Sequence, residues 1–245
     1  MKIGITEQGD ASIYLTEWVS KIEHKIVNKA IVITKNLKSE RFRSLLVNFK
    51  EEIILHATVT FLGGSLIEPN VPSYKDSFSY LEKLVESGFP SNRIVFRCDP
   101  ILHISQIYLL EKYSSRLKEL GIQRIRFSFC DFYPHVRKRF IEKEIQMFTG
   151  KNNFSLEENM KQDCIVLLNK LGQEFSVESC AEGVLGSNIQ NCGCISNKDL
   201  EIFEMSYQPD NFSKQRSLCK CLSCKTELLN HKEQCPYKCL YCYWH

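Results

Sequence analysis

Long apolar runs are missing from this chain of 245 residues, and none approaches the roughly 18 residues that a membrane-spanning helix needs. The opening residues, Met1 to Glu7, also lack the charged-then-apolar pattern of a secretion signal, so a cytoplasmic protein with no membrane partner is expected. Strong charge bias is missing too. Lysine and arginine total 32 against 29 acids, and a net charge of +3 with a pI near 8.2 does not by itself imply nucleic acid. The six histidines show no metal-ligand spacing, and only His245 falls beside a cysteine cluster. Cysteine itself is scarce at first. Only Cys98, Cys130 and Cys164 precede residue 180, each in or beside a predicted strand or helix, where a thiol usually acts as a small buried apolar group.

What the first 180 residues do contain is a regular alternation of short β-branched runs with longer amphipathic segments. That pattern predicts a parallel sheet with crossover helices. Strands are expected over 2–6, 30–34, 53–61, 93–97, 124–129 and 174–177. Helices are expected over 13–24, 39–50, 74–87, 105–120, 135–149 and 156–171, with Asp99-Pro100 and Ser155 as turn or helix-entry signals. Periodicity leaves two architectures open, a doubly wound sheet and an open partial barrel. In both, the site lies past the C-terminal ends of the strands, where Thr6, Gln8, Asp10, Lys35, Asn36, Glu68, Arg97, Asp99, Asp131, Arg137 and Glu182 fall. Beyond residue 182 the periodicity fades, so the chain divides into a strand-and-helix domain over 1–182 and a cysteine-rich tail over 183–245. That tail has too few apolar residues to fold unaided, and bound metal would supply what its core does not.

Nine of the twelve cysteines lie in or at the border of the tail. Without a secretion signal they read as metal ligands rather than a disulfide framework. Cys235, Cys239 and Cys242 form a CxxxCxxC loop, which suits three corners of a [4Fe-4S] cube and leaves one iron without a protein ligand. An open iron can chelate S-adenosylmethionine, and reduction then yields a 5'-deoxyadenosyl radical. Tyr241 and Tyr243, flanking the last cysteine, match the loop of such radical enzymes and are candidate cofactor contacts. Cys180, Cys192, Cys194, Cys219, Cys221 and Cys224 remain, enough for a second four-ligand site. The alternative is zinc, since the pairs Cys221/Cys224 and Cys239/Cys242 are separated by fourteen residues, near zinc-ribbon spacing. Zinc needs only four of these thiolates and leaves Cys235, Cys219, Cys194 and Cys180 without a task, whereas two iron-sulfur sites use all of them, and economy favours iron.

Several stretches resemble the family known as domain of unknown function 1848, which looks like a relative of the radical S-adenosylmethionine barrels. They are the segments 33–36, 58–60, 67–72, 97–102, 127–133 and 180–182, the pair Cys219 and Cys221, and the terminal cysteine loop. The resemblance favours an α/β partial (β/α)6 TIM-like barrel whose C-terminal tail is cysteine-rich and binds iron-sulfur clusters. Its cluster loop ends the chain instead of following the first strand, an order that a circular permutation would produce. It implies one [4Fe-4S] cluster on Cys235, Cys239 and Cys242 and a second set on Cys180, Cys194, Cys219 and Cys221, with Cys192 and Cys224 as additions. Lys35, Asn36, Arg97, Asp99, Asp131 and Glu182 keep the family's residue types. The first turn, Glu7 to Asp10, replaces an arginine-rich one, and Cys98 stands where a tyrosine is usual.

The expected activity is therefore radical chemistry on an unknown substrate, with S-adenosylmethionine as cofactor and a ferredoxin or flavodoxin as electron donor. Lys35 and Arg97 are candidates for carboxylate or phosphate contacts, and Asp99, Asp131 and Glu182 for hydroxyls or amines. Asn36, Tyr241 and Tyr243 are assigned to the cofactor. Two rival readings are an electron carrier or redox sensor and a zinc-stabilised nucleic-acid-binding protein. The latter rests on the basic run His135 to Phe140, which on a helix is more often a solvated face.

Overall fold

The computed structural model describes residues 2–205, 218–222, 225–232 and 235–244. Cys224 and His245 lie outside the described residues. Eight parallel strands form one sheet: β1 (Ile3–Ile5), β2 (Lys29–Thr34), β3 (Ile53–Thr58), β4 (Ile94–Ile101), β5 (Arg124–Phe129), β6 (Ser176–Cys180), β7 (Ile189–Cys192) and β8 (Lys225–Glu227). Their order is β7-β6-β5-β4-β3-β2-β1-β8. Between them run α1 (Leu15–Glu23), α2 (Glu40–Asn48), α3 (Tyr74–Glu86), α4 (Ser105–Glu119), α5 (Pro134–Glu142), α6 (Glu158–Leu171) and α7 (Asn197–Ile202). Among the described residues no helix is long and apolar enough to cross a membrane.

The helices start where the sequence provides a cap. Ser39 and Ser73 accept from the amides of Phe42 and Asp76, and Ser196 forms a reciprocal capping box with Asp199. Pro134 opens α5, where its missing amide proton costs nothing. The helix stops at Glu142, short of the expected 149, and Glu144 then takes a left-handed conformation with φ 53. β6 begins two residues later than expected because the amides of Glu174 and Phe175 still bond back to Leu171. Asp99-Pro100 lies inside β4 rather than at a turn, with a cis peptide and a register shift between Cys98 and Ile101.

Alternation along the strands sends Ala30, Val32, Leu55 and Phe96 to the face covered by α1–α6, where the large apolar core lies. Trp18 is fully buried there and donates its indole N–H to the Ala11 carbonyl at 3.0 Å. Ile3, Ile5, Ile31, Ile54 and Val95 point to the other face, and Ile195, Leu200, Phe203 and Leu222 cover them. This corrects the expected six strands to eight. The tail adds a strand at each edge and an apolar lid over one face. Gly4 permits the β8 side of this arrangement, since a Cβ there would stand 2.5 Å from Leu228 Cδ1.

Further along the same face, under β5 and β6, the lining turns ionic. Arg124 and Arg126 meet Glu178, with Nε–Oε distances of 2.8 Å for both, and Arg124 Nη1 reaches Asp199 at 2.8 Å. Beside them His56 is fully buried. Burial, followed by the charges of Arg126, Arg97 and Arg124, holds it well below the ordinary imidazole range. The native state therefore keeps His56 neutral where the unfolded chain, with a pKa of about 6.5, takes a proton. Stability from this group is intact above about 6.5 and falls with pH below it, by about 1.4 kcal/mol per unit once protonation of the unfolded chain is complete. Denaturation at pH 7 and pH 5.5 should show a shallower loss for His56→Leu than for the unaltered protein, and equal losses would refute the assignment.

Candidate functional site

A cavity of about 290 Å³ opens where the strands end. Thr6 and Glu7 follow β1, Lys35 follows β2, Thr58 ends β3, Arg97 and Asp99 lie late in β4, and Ser128 and Cys180 come from β5 and β6, so every strand of the first six contributes. Cys235, Cys239 and Cys242 line it, as do Cys180, Cys194 and Cys219. The two sets, far apart in sequence, face one space.

The terminal loop reaches this position through contacts with the turns that follow the strands. Leu240 N donates to Ile67 O at 2.9 Å, Asn70 Nδ2 donates to Pro236 O at 2.8 Å, and Tyr237 and Ser12 hydroxyls meet at 3.0 Å. Asp131 N donates to the Tyr243 hydroxyl at 3.1 Å. Lys35 Nζ donates to Tyr241 at 2.6 Å and to Glu68 Oε1 at 2.9 Å, while Tyr241 also bonds Glu68. Thr60 donates to the other Glu68 oxygen at 2.5 Å. Burial works to lower the Lys35 pKa, but the charge of Glu68, with its hydrogen bond, works against it and the pKa stays raised.

Around the second set the thiols touch. Cys180 and Cys194 Sγ atoms are 3.8 Å apart, and Cys194 N donates to Cys221 Sγ at 3.1 Å. Gly193 makes that approach possible, since a Cβ there would stand 2.5 Å from the Cys221 amide nitrogen. Contact with Cys194, then burial, holds Cys180 well above the ordinary thiol range, because a second thiolate beside the first is costly. Cys192, beside Cys180 in the β6/β7 register, turns instead to Glu178 Oε2 at 3.8 Å. Glu7 is pushed up to about 8 by burial and then by Cys194, against the pull of Lys225.

Eleven of the fifteen site residues expected from sequence line the cavity: Lys35, Arg97, Asp99, Tyr241, Tyr243, Cys180, Cys194, Cys219, Cys235, Cys239 and Cys242. Asn36, Asp131, Glu182 and Cys221 do not. Asn36 Oδ1 caps Lys38 N at 2.9 Å, and Glu182 accepts from Phe129 N at 2.8 Å and Lys161 at 3.3 Å. The two cations offered to a substrate anion are both already paired, Lys35 with Glu68 and Arg97 with Asp99. Asp10 has more structural weight than its place in a divergent turn suggested. It is buried and accepts from Thr34 Oγ1 and Lys35 N, both at 2.7 Å, and from Ser12 Oγ at 2.6 Å. Its neighbours in sequence account only for the Ser12 bond, because the other donors come from the end of β2 and the turn after it.

Among the described residues no group of three or more His, Cys, Asp or Glu side chains is arranged to hold a metal ion directly. The fit to metal thus concerns the chemistry of the donors and the space they face, not ready-made coordination distances.

These features define an α/β protein with a thiol-lined cavity at the C-terminal ends of a parallel sheet. The chain belongs to the family described as Domain of unknown function (DUF1848), whose pattern matches residues 12–244. No curated protein and no solved structure matches it.

Proposed function

We propose that this chain is an iron-sulfur enzyme of the radical S-adenosylmethionine type that acts on a small molecule held at the strand ends. One observation carries the reading: Cys235, Cys239 and Cys242 line the same cavity that receives the ends of the first six strands. Three thiolates suit three corners of a [4Fe-4S] cluster. Burial pushes Cys235 up to about 11 and Cys239 up to about 12, so both are protonated thiols in metal-free protein and release protons when metal binds. When bound, the cluster would supply the electron that cleaves a carbon-sulfur bond of S-adenosylmethionine.

The chain's own residues orient and enclose. Lys35, Glu68 and Tyr241 tie the loop to the ends of β2 and β3. Asp99, which accepts from Ser128 at 2.5 Å, can accept from a hydroxyl or amine, and Arg97 can donate to a carboxylate once a ligand displaces their mutual contact. Cys180, Cys194, Cys219 and Cys221 would hold a second cluster against the same cavity, fed by a ferredoxin- or flavodoxin-type donor. The proposal includes a partial barrel, because the strand order is that of a barrel opened between β7 and β8.

Purification without oxygen tests this. The expected product is brown, carries about eight irons and as many sulfides per chain, and has a reduced-state paramagnetic spectrum that changes when S-adenosylmethionine is added. Iron with a spectrum indifferent to that molecule would leave an electron carrier or sensor. Stoichiometric zinc and no iron after anaerobic reconstitution would sink the proposal.

A further inference from the structure

We propose that Arg139 is a positioning residue of the terminal cysteine loop, clamping its main chain and setting a fixed positive charge beside Cys239 and Cys242; the charge half of this rests on the cluster reading above. The basic run that includes Arg139 looks like a solvated helix face, but α5 divides it. Val136 and Phe140 are buried one turn apart, which puts Arg139 on the flank of the buried stripe. Lys138, by contrast, has a side chain 76 % exposed and pairs with Glu142 on its own helix at 3.8 Å. The guanidinium of Arg139 crosses to the loop and donates to the carbonyl of Cys242. Its Nε–H is buried and has no partner among the described residues. The guanidinium lies within electrostatic reach of both Cys242 and Cys239.

A guanidinium is a suitable group for both tasks, since its planar fork can bond a carbonyl with one N–H and leave another for a thiolate while staying charged. Hydrogen bonds and nearby charge are among the main determinants of a cluster's reduction potential. A cation at this place favours the more negative, reduced state.

Two measurements on the full chain test the two halves. In metal-free protein, amide hydrogen exchange of residues 235–244 should be about tenfold faster in Arg139→Gln, the effect of losing one hydrogen bond to a charged group, and unchanged in the exposed control Lys138→Gln. In reconstituted protein, the midpoint potential of the loop's cluster should move negative in Arg139→Gln, return toward the original in Arg139→Lys, and stay put in Lys138→Gln. Unchanged exchange in Arg139→Gln would overturn the clamp. Faster exchange with an unmoved potential would overturn the charge role. If the unaltered chain holds no iron, the cluster reading and the charge role fall together, and exchange alone decides the clamp.

Discussion

Cys239→Ala, purified without oxygen, should lose about four of about eight irons and with them every spectral response to S-adenosylmethionine. Of the loop's three thiols Cys239 is the most deeply set, 6 % exposed, and lies near the Lys35 charge that Glu68 and Tyr241 hold in place. Alanine leaves two thiolates on the loop, too few to keep a cube whose fourth iron must already take a non-protein ligand. The second set of cysteines is carried by β6, the turn after β7 and the segment around Cys221 rather than by the terminal loop, so its iron should stay. Retention of all the iron would mean that the loop holds none. Loss of all of it would mean that the two sets share one site, and either result would end the two-cluster proposal.

Much of this architecture was legible because strands β2 and β3 are mostly buried apolar runs rich in β-branched residues and β5 alternates polar with apolar, with helices of clear apolar stripe between the strands. Burial on both faces leaves a strand no room for polar alternation, and this is what the runs at 30–34 and 53–58 show. The tail strands carried no such signal. β7 reads Ile-Gln-Asn-Cys and β8 reads Lys-Thr-Glu, and each forms because β6 or β1 presents an open edge in register. The cysteine spacing pointed to the cavity's walls, but not to the pairing of its charges. Glu68 and Tyr241 are 173 residues apart, and Arg124 and Asp199 are 75 apart, so neither contact leaves a local pattern. Arg139 is an intermediate case. The helical phase of Val136 and Phe140 marks its flank position, while its partner lies 103 residues away.

Glu178→Ala should be the most destabilising single change on the ionic side of the sheet, by roughly 3–5 kcal/mol, the usual cost of stranding a buried charge. Glu178 is 2 % exposed and bonds both Arg124 and Arg126, whose side chains are 5 % and 1 % exposed. Its removal leaves two buried guanidinium groups to one carboxylate, Asp199, which touches Arg124 at 2.8 Å but Arg126 only at 3.7 Å. For a chain of this size the expected fall in melting temperature is on the order of 10 °C. The consequence should reach the second cysteine set, because Arg126 also donates to the Cys194 carbonyl at 3.1 Å and Glu178 is what aligns Arg126. Glu178→Gln keeps the volume and one acceptor, so it should cost less while still leaving the charge unbalanced. Replacing Arg126 and Glu178 together by methionine leaves Arg124 paired with Asp199 at 2.8 Å, so no charge is stranded, and should recover part of the loss, as buried ionic groups exchanged for apolar ones often do. Thermal unfolding of the three variants decides it. If the double variant is no more stable than Glu178→Ala, the cost lies in packing around the site and not in unpaired charge.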